Sequence, residues 1–279
     1  MLNNILIQEM NHYQNNNIEE IKSSLREIGQ KIILSGLARG KMFDYVAFYG
    51  GTSLRLLHNL DRFSEDLDFT LIKDNINFSL DSYLLSAIRE LESYGIKATY
   101  TIKDKSVNTS VITGFVKFNL LDTLNLIYLD NKYAVNKNEM ISIKVEVETK
   151  HYDGFNLEYK TVLYPAYFKV LTFDIETLFS CKILAVLNRK WKTRVKGRDY
   201  FDFLFYITNQ IKPNYSFLQN ALSIPNLSNS YLKELLFNRF NEVNFNDALN
   251  DVLPFIKNNS RFIPLFKKEI FIDLLNELK

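Results

Sequence analysis

The sequence predicts a mixed α/β (α+β) fold, with a mixed sheet flanked by helices followed by a helical C-terminal part. Three observations point that way. Up to about residue 170, short apolar or alternating runs interleave with stretches of helical period. From Ile175 onward nearly every segment has helical spacing. Pro213, Pro225, Pro254 and Pro264 fall mostly between those later segments, as helix breakers should. The expected division is 1–170, an α/β domain with an N-terminal helix, and 171–279, a helical domain.

Taken in order, Ile18–Phe43 carries Ile21, Leu25, Ile28, Ile32 and Ile33 on one stripe, with Glu, Lys and Arg opposite, and predicts a helix. The apolar run Tyr45–Tyr49 reads as a buried strand ending at Gly50 and Gly51. Glycine is scarce, 9 in 279 residues, so an adjacent pair marks a place where the backbone turns sharply or approaches a ligand. Thr52–Asn59 suits a short helix capped by Thr52 or Ser53. Asp66–Leu71 alternates charged and apolar side chains and predicts a strand. A helix over Asp81–Tyr94 and strands over Ile96–Ile102, Ser110–Leu120, Ile141–Thr149 and Phe168–Phe173 follow, with a connection at Val162–Pro165. Helices are expected over Ile175–Lys192, Arg198–Asn209, Phe217–Leu222, Tyr231–Phe240 and Lys267–Leu278.

Composition excludes several classes. A single Cys181 rules out an intramolecular disulfide framework and a cysteine-based zinc site. The three histidines, His12, His58 and His151, are scattered without a metal-binding spacing. No run approaches the about 18 apolar residues that span a membrane, and Met1–Gln8 lacks the basic start of a signal peptide. A cytoplasmic protein is expected. The net charge of +2 excludes a globally basic nucleic-acid binder but not a local basic patch.

The chemistry concentrates on carboxylates. Asp66 and Asp68 sit two apart on a predicted strand and therefore on one face. Close carboxylates repel unless a cation lies between them, and hard oxygen donors suit Mg²⁺ or Mn²⁺. Paired ions about 3.5–4 Å apart clamp the attacking and leaving oxygens in phosphoryl transfer. A third carboxylate is available on Ile143–Glu148, where Lys144, Glu146 and Glu148 share one face while Val145 and Val147 face the core. If that strand lies beside the Asp66–Asp68 strand, Glu146 is the third ligand and Glu148 the fallback; Lys144 joins the nucleotide-binding set. Gly50, Gly51, Thr52 and Ser53, at a strand-to-helix turn, offer backbone N–H groups to a triphosphate, with Arg55 and Arg62 close in sequence.

Farther on, Leu178, Lys182, Ala185 and Arg189 share a face of one predicted helix, and Asp199 and Asp202 open the next. Lys182 could equally extend its stem along apolar neighbours, and both aspartates suit a helix start on dipole grounds alone. Between the helices, Arg189, Lys190, Trp191, Lys192, Arg194, Lys196 and Arg198 make seven of ten residues cationic or aromatic. That segment reads either as a solvated loop or as a grip on an RNA backbone with one stacked base.

Phe48-Tyr49-Gly50-Gly51-Thr52-Ser53-Leu54-Arg55-Leu56-Leu57, followed by Leu60-Asp61-Arg62-Phe63-Ser64-Glu65-Asp66-Leu67-Asp68-Phe69, resembles the AbiEii/AbiGii toxin family of nucleotidyltransferases, within the DNA polymerase β-like nucleotidyltransferase superfamily. The stretch from Glu176 through Leu178, Lys182 and Ala185 to Arg189, then Arg198-Asp199-Tyr200-Phe201-Asp202, is similar to that family's second motif region. The likeness runs from residue 45 to about 210. It implies a nucleotidyltransferase-type sheet, with Asp66 and Asp68 as metal ligands. Ser64, Arg62 and the Gly50–Ser53 turn would contact a nucleoside triphosphate, and Lys182 its phosphates. Asp199 or Asp202 would complete the cleft from the helical part. The resemblance further implies the toxin of a bacterial toxin–antitoxin (abortive infection) pair, with tRNA as acceptor and a separate antitoxin as partner. Two rivals stay open: the same transfer to a protein hydroxyl or a small molecule such as an aminoglycoside, and a non-catalytic nucleotide-binding module.

Overall fold

The computed structural model describes residues 2–13, 15, 17–75, 77–103, 110–129, 133–150, 152–189, 195–256 and 260–279. Of the sequence-derived candidates, Lys190, Trp191, Lys192, Arg194 and His151 lie outside the described residues. The chain divides into two compact units. The first is Met1–Ser53, Ser64–His151 and Tyr159–Thr172; the second is Leu54–Phe63, Tyr152–Glu158 and Phe173–Lys279.

The first unit is organised by a seven-stranded mixed sheet in the order β3-β4-β5-β2-β1-β7-β6. Its strands are β1 (Val46–Tyr49), β2 (Leu67–Leu71), β3 (Ala98–Ile102), β4 (Val111–Asn119), β5 (Met140–Glu148), β6 (Leu157–Val162) and β7 (Phe168–Phe173). β2 runs antiparallel to β1 and parallel to β5, and β1 runs parallel to β7. Helices α1 (Leu2–His12), α2 (Ile18–Arg39), α3 (Gly50–His58), α4 (Asp81–Ser93) and α5 (Leu120–Leu126) accompany the strands. The α2 stripe Ile21, Leu25, Ile28, Ile32 and Ile33 is buried, as its spacing predicts. On β5, Val145 and Val147 are fully buried and alternate with the half-buried Glu146 and Glu148, the parity expected of one core face and one open face. Phe48 on β1 packs against Phe69 on β2 with ring centroids 5.2 Å apart.

The second unit is helical: α6 (Ile175–Asn188), α7 (Gly197–Thr208), α8 (Tyr215–Leu222), α9 (Asn229–Glu242), α10 (Phe245–Val252) and α11 (Lys268–Leu274). Side-chain oxygens of Asp174, Asn214, Ser228 and Asn244 accept backbone N–H bonds at the starts of α6, α8, α9 and α10. The core is aromatic. Tyr200, Phe203, Phe240, Phe245 and Phe271 interlock mostly edge to face, and Phe179 stacks on Tyr206 at 4.5 Å.

Several elements depart from the sequence expectation. α3 starts at Gly50, so Thr52 and Ser53 lie inside its first turn and cap nothing; both are fully buried. α6 stops at Asn188, short of Lys192. β6 (Leu157–Val162) is a strand the sequence reading did not single out, and the connection expected at Val162–Pro165 begins at its last residue: it stands at the end of the sheet with no fully buried position, so no apolar stripe announces it. α1, α5 and α10 are additional helices. α5 is short and depends on Asn119, which accepts the Asp122 N–H, and α10 on Asn244.

Gly197 opens α7 against α10. Its N–H donates to the Asp251 carboxylate at 2.9 Å, and a Cβ there would run into the Ala248 carbonyl. Gly197→Ala is expected to lower stability by about 1–3 kcal/mol through overpacking, seen as a reduced melting temperature in thermal unfolding followed by circular dichroism. An unchanged melting temperature would show that α10 yields without cost.

Candidate functional site

Within the first unit, pairing builds the acidic set. Asp68 on β2 stands opposite Tyr49 of β1 on one side and opposite Glu146 of β5 on the other. Asp66 lies just before β2, two residues from Asp68, while Glu148 is aligned with Thr70, two residues along the strand from Asp68. Glu146, not Glu148, is therefore the acidic residue of β5 that shares Asp68's position in the sheet. Glu148 instead accepts the backbone N–H of Lys150 at 3.1 Å. Thr113 on β4, which the sequence did not single out, donates its hydroxyl to Glu146 Oε1 at 3.3 Å. A β-branched residue in a β-strand carries no sequence signal for this task.

The glycine turn lies beside these carboxylates. Gly50 has φ +82°, in the left-handed region, and any side chain there would collide with the Asp68 carboxylate. Glycine thus serves twice, for its backbone conformation and for the room it leaves Asp68. Behind the turn the hydroxyls are consumed internally. Thr52 donates to the Asp66 carbonyl, and Ser53 lies 3.0 Å from Thr172, which itself donates to the Phe48 carbonyl at 2.7 Å. What the Gly50–Ser53 turn presents is its backbone, at the start of α3, where the first N–H groups have no partner within the helix. Ser64, another candidate, is half-buried and its carbonyl accepts from Gln30 at 3.0 Å.

A cation already stands among the acids. Lys144 Nζ lies 2.8 Å from Glu146 Oε2 and 3.6 Å from Asp66 Oδ2. Burial works to lower the Lys144 pKa, but the bond to Glu146 and the charges of Asp66, Glu146 and Asp68 outweigh it and hold the ammonium above its ordinary value. Among the described residues, no group of three or more His, Cys, Asp or Glu side chains stands arranged as a cage for a metal ion. What Asp66 and Glu146 share is the Lys144 ammonium, and their carboxylate oxygens are the donor type that suits a hard divalent cation.

In the second unit a charged cluster is buried. Lys182 on α6 lies 2.8 Å from both Asp199 Oδ1 and Asp202 Oδ2 on α7. Arg62 grips Asp202 with two parallel bonds of 2.6 and 2.7 Å and donates to the Phe63 carbonyl at 2.9 Å. Arg189, just past the end of α6, reaches Asp199 Oδ2 at 3.1 Å. Lys182 and Arg189 do share a target, as their helix spacing suggests. Arg62, expected to face a nucleotide, is 3% exposed and turned onto Asp202, which is itself fully buried. Arg55 likewise donates to the Leu60 carbonyl at 2.7 Å and lies over the Phe63 ring.

Arg239 on α9, absent from the sequence candidates, donates to the Val186 and Arg189 carbonyls and so caps the end of α6 that carries Arg189. Of the basic segment, Arg189, Lys196 and Arg198 are described. Burial, then the charges of Arg189 and Arg198, hold Lys196 below its ordinary pKa, and Arg198 stacks over Phe255 at 4.1 Å. Burial pushes the Cys181 thiol up to about 12, which leaves it inert.

Burial alone would raise the Asp199 pKa, but Lys182 and Arg189 hold it below its ordinary 3.8. Burial alone would lower Lys182, but Asp199 and Asp202 hold it above its ordinary 10.5. The sign follows from linkage. The Asp199 contribution to stability is complete above pH 3.8 and is lost as pH falls further. The Lys182 contribution is complete below pH 10.5 and is lost as pH rises further. Stability profiles against pH should show both limbs, and Asp199→Asn should flatten the acid limb; an unchanged acid limb would refute the assignment. Asp202→Ala, which strands Arg62 and Lys182 in the interior, should cost about 3–5 kcal/mol in urea unfolding.

The family described as nucleotidyl transferase AbiEii toxin, type IV TA system, matches residues 32–262. The crystal structure of JHP933 from Helicobacter pylori superposes with a TM-score of 0.53 at 19% identity, covering 91% of this chain and 90% of that one. That likeness supports the fold. A second H. pylori structure, also 19% identical and covering 90% and 91% of the two chains, has a TM-score of 0.49. No curated protein matches the chain. With its family match spanning most of its length, the chain belongs to the AbiEii nucleotidyltransferase toxin family of type IV toxin–antitoxin systems.

Proposed function

We propose that the chain transfers a nucleotide from a nucleoside triphosphate to tRNA, releasing pyrophosphate, in a reaction that requires Mg²⁺ or Mn²⁺ and takes place in the cytoplasm. One observation carries the reading: the parallel register of β2 and β5, which sets Asp68 beside Glu146, with Asp66 two residues away and the Gly50 turn against Asp68. Asp66, Asp68 and Glu146 would hold the metal, which supplies Lewis-acid stabilisation of the charge that develops on the transferred phosphoryl group.

The chain's own groups do the rest. Backbone N–H groups of Gly50–Ser53 would bind phosphate oxygens at the positive end of α3. Lys144 is the exposed-side cation of the set and would follow the phosphate charge. Asp199 and Asp202 would hold the Lys182 ammonium at a fixed place, with Arg62 and Arg189 restraining the two carboxylates. An RNA acceptor is supported by the composition of the run 189–198, rich in Lys and Arg with Trp191 among them, of which Arg189, Lys196 and Arg198 are described.

The test is label transfer from each labelled nucleoside triphosphate in turn to total tRNA in the presence of Mg²⁺. The intact protein should label RNA with one nucleotide. Asp66→Ala and Asp68→Ala should reduce transfer by about 10³-fold or more, the scale of losing a group that stabilises transition-state charge. Triphosphate binding without RNA labelling would overturn the tRNA reading and turn the search to a protein hydroxyl or a small molecule such as an aminoglycoside. Transfer unaffected by either substitution would overturn the site.

A further inference from the structure

The Lys144 ammonium stands where a metal ion would compensate the carboxylates, 2.8 Å from Glu146 and 3.6 Å from Asp66. It stays on the open face of the sheet because residues 144 and 146 of one strand point the same way. Its side chain is 31% exposed, against 13% for the Lys182 side chain in the second unit. A long, flexible and strongly hydrated side chain in that setting can leave for solvent, whereas Lys182 cannot.

We propose that Lys144 is a displaceable resident cation: it neutralises Asp66 and Glu146 in the free protein and thereby opposes binding of a divalent ion until a triphosphate draws the ammonium away. The proposal rests on the metal-dependent transfer proposed above and adds its regulation. Two positive charges cannot share the pocket at contact distance, so ion and ammonium compete for the same oxygens. A triphosphate relieves the competition by offering Lys144 another anion. Metal and nucleotide then bind with positive coupling, each raising the affinity of the other by the same factor. The free toxin would be a poor metal binder and would be charged only when nucleotide is present.

The test is Mn²⁺ titration of the full-length protein without nucleotide, reading free Mn²⁺ by electron paramagnetic resonance. Lys144→Met, which keeps the stem and removes the charge, should bind Mn²⁺ about tenfold more tightly than the natural protein. A non-hydrolysable triphosphate should tighten Mn²⁺ binding to the natural protein more than to the variant. Asp66→Ala placed on Lys144→Met should abolish the gain. Lys144→Gln replaces Lys144→Met if circular dichroism shows the latter unfolded. Equal Mn²⁺ affinity for the natural protein and the lysine variant overturns the proposal. Label transfer that persists in EDTA would overturn the metal-dependent reaction itself, a separate result from a separate assay.

Discussion

The parallel pairing of β2 with β5 is the constraint on which the acidic set of the first unit depends. Side chains alternate along a strand, so a slip of one residue would turn Glu146 into the core and Val145 into the open face. The register is held because Val145 and Val147 are both fully buried and have nowhere else to go. With it in place, Asp68 and Glu146 occupy directly paired positions. Like charges facing each other across neighbouring strands destabilise a sheet. Two contacts temper that repulsion: Lys144 lies between Asp66 and Glu146, and Thr113 donates to the far oxygen of Glu146. The glycine at position 50 belongs to the same account, since only a residue without Cβ leaves Asp68 its place.

The second unit solves a harder form of the problem. Asp202 has no exposure and Asp199 very little, so both have lost their hydration. Lys182 touches both carboxylates, Arg62 takes both oxygens of Asp202, and Arg189 takes the free oxygen of Asp199. Every carboxylate oxygen has at least one cationic donor, the condition under which a buried charged cluster is tolerable. Such a cluster adds little to stability compared with an apolar replacement, and it is costly to break. What the cluster does for α6 and α7 is to fix the position of Lys182.

Much of this was legible in the sequence, and the reason is periodicity. The Lys144-Glu146-Glu148 parity is a local signal and the structure keeps it, whereas Asp66 falls just before β2 and Arg189 just past the end of α6, each one residue outside the element its spacing suggested. What escaped was long-range. The Arg62–Asp202 pair joins residues 140 positions apart, and no local pattern distinguishes an arginine that will be buried from one that will face a phosphate. Arg239 capping the end of α6 is invisible for the same cause. β6 lacks a buried stripe, and α3 begins on Gly50 where a capping hydroxyl was expected two residues later, because Thr52 and Ser53 spend their hydroxyls on Asp66 and Thr172.

The two lysines show how one side chain can be given opposite roles by burial. Lys182 is enclosed, bonded at 2.8 Å to two carboxylates that are themselves held by arginines, so moving it would strand charge in the interior. Lys144 has one close partner and one at 3.6 Å, on carboxylates whose side chains are about a third exposed. Exposed pairs of that kind contribute about 0–1 kcal/mol, so the ammonium can be exchanged for another cation at little cost. A fixed lysine and an exchangeable one suit a phosphoryl-transfer protein that must keep part of its charge in place and surrender part of it on binding substrate. The difference follows from where each sits: Lys182 on a helix packed within a core, and Lys144 on the open face of a sheet.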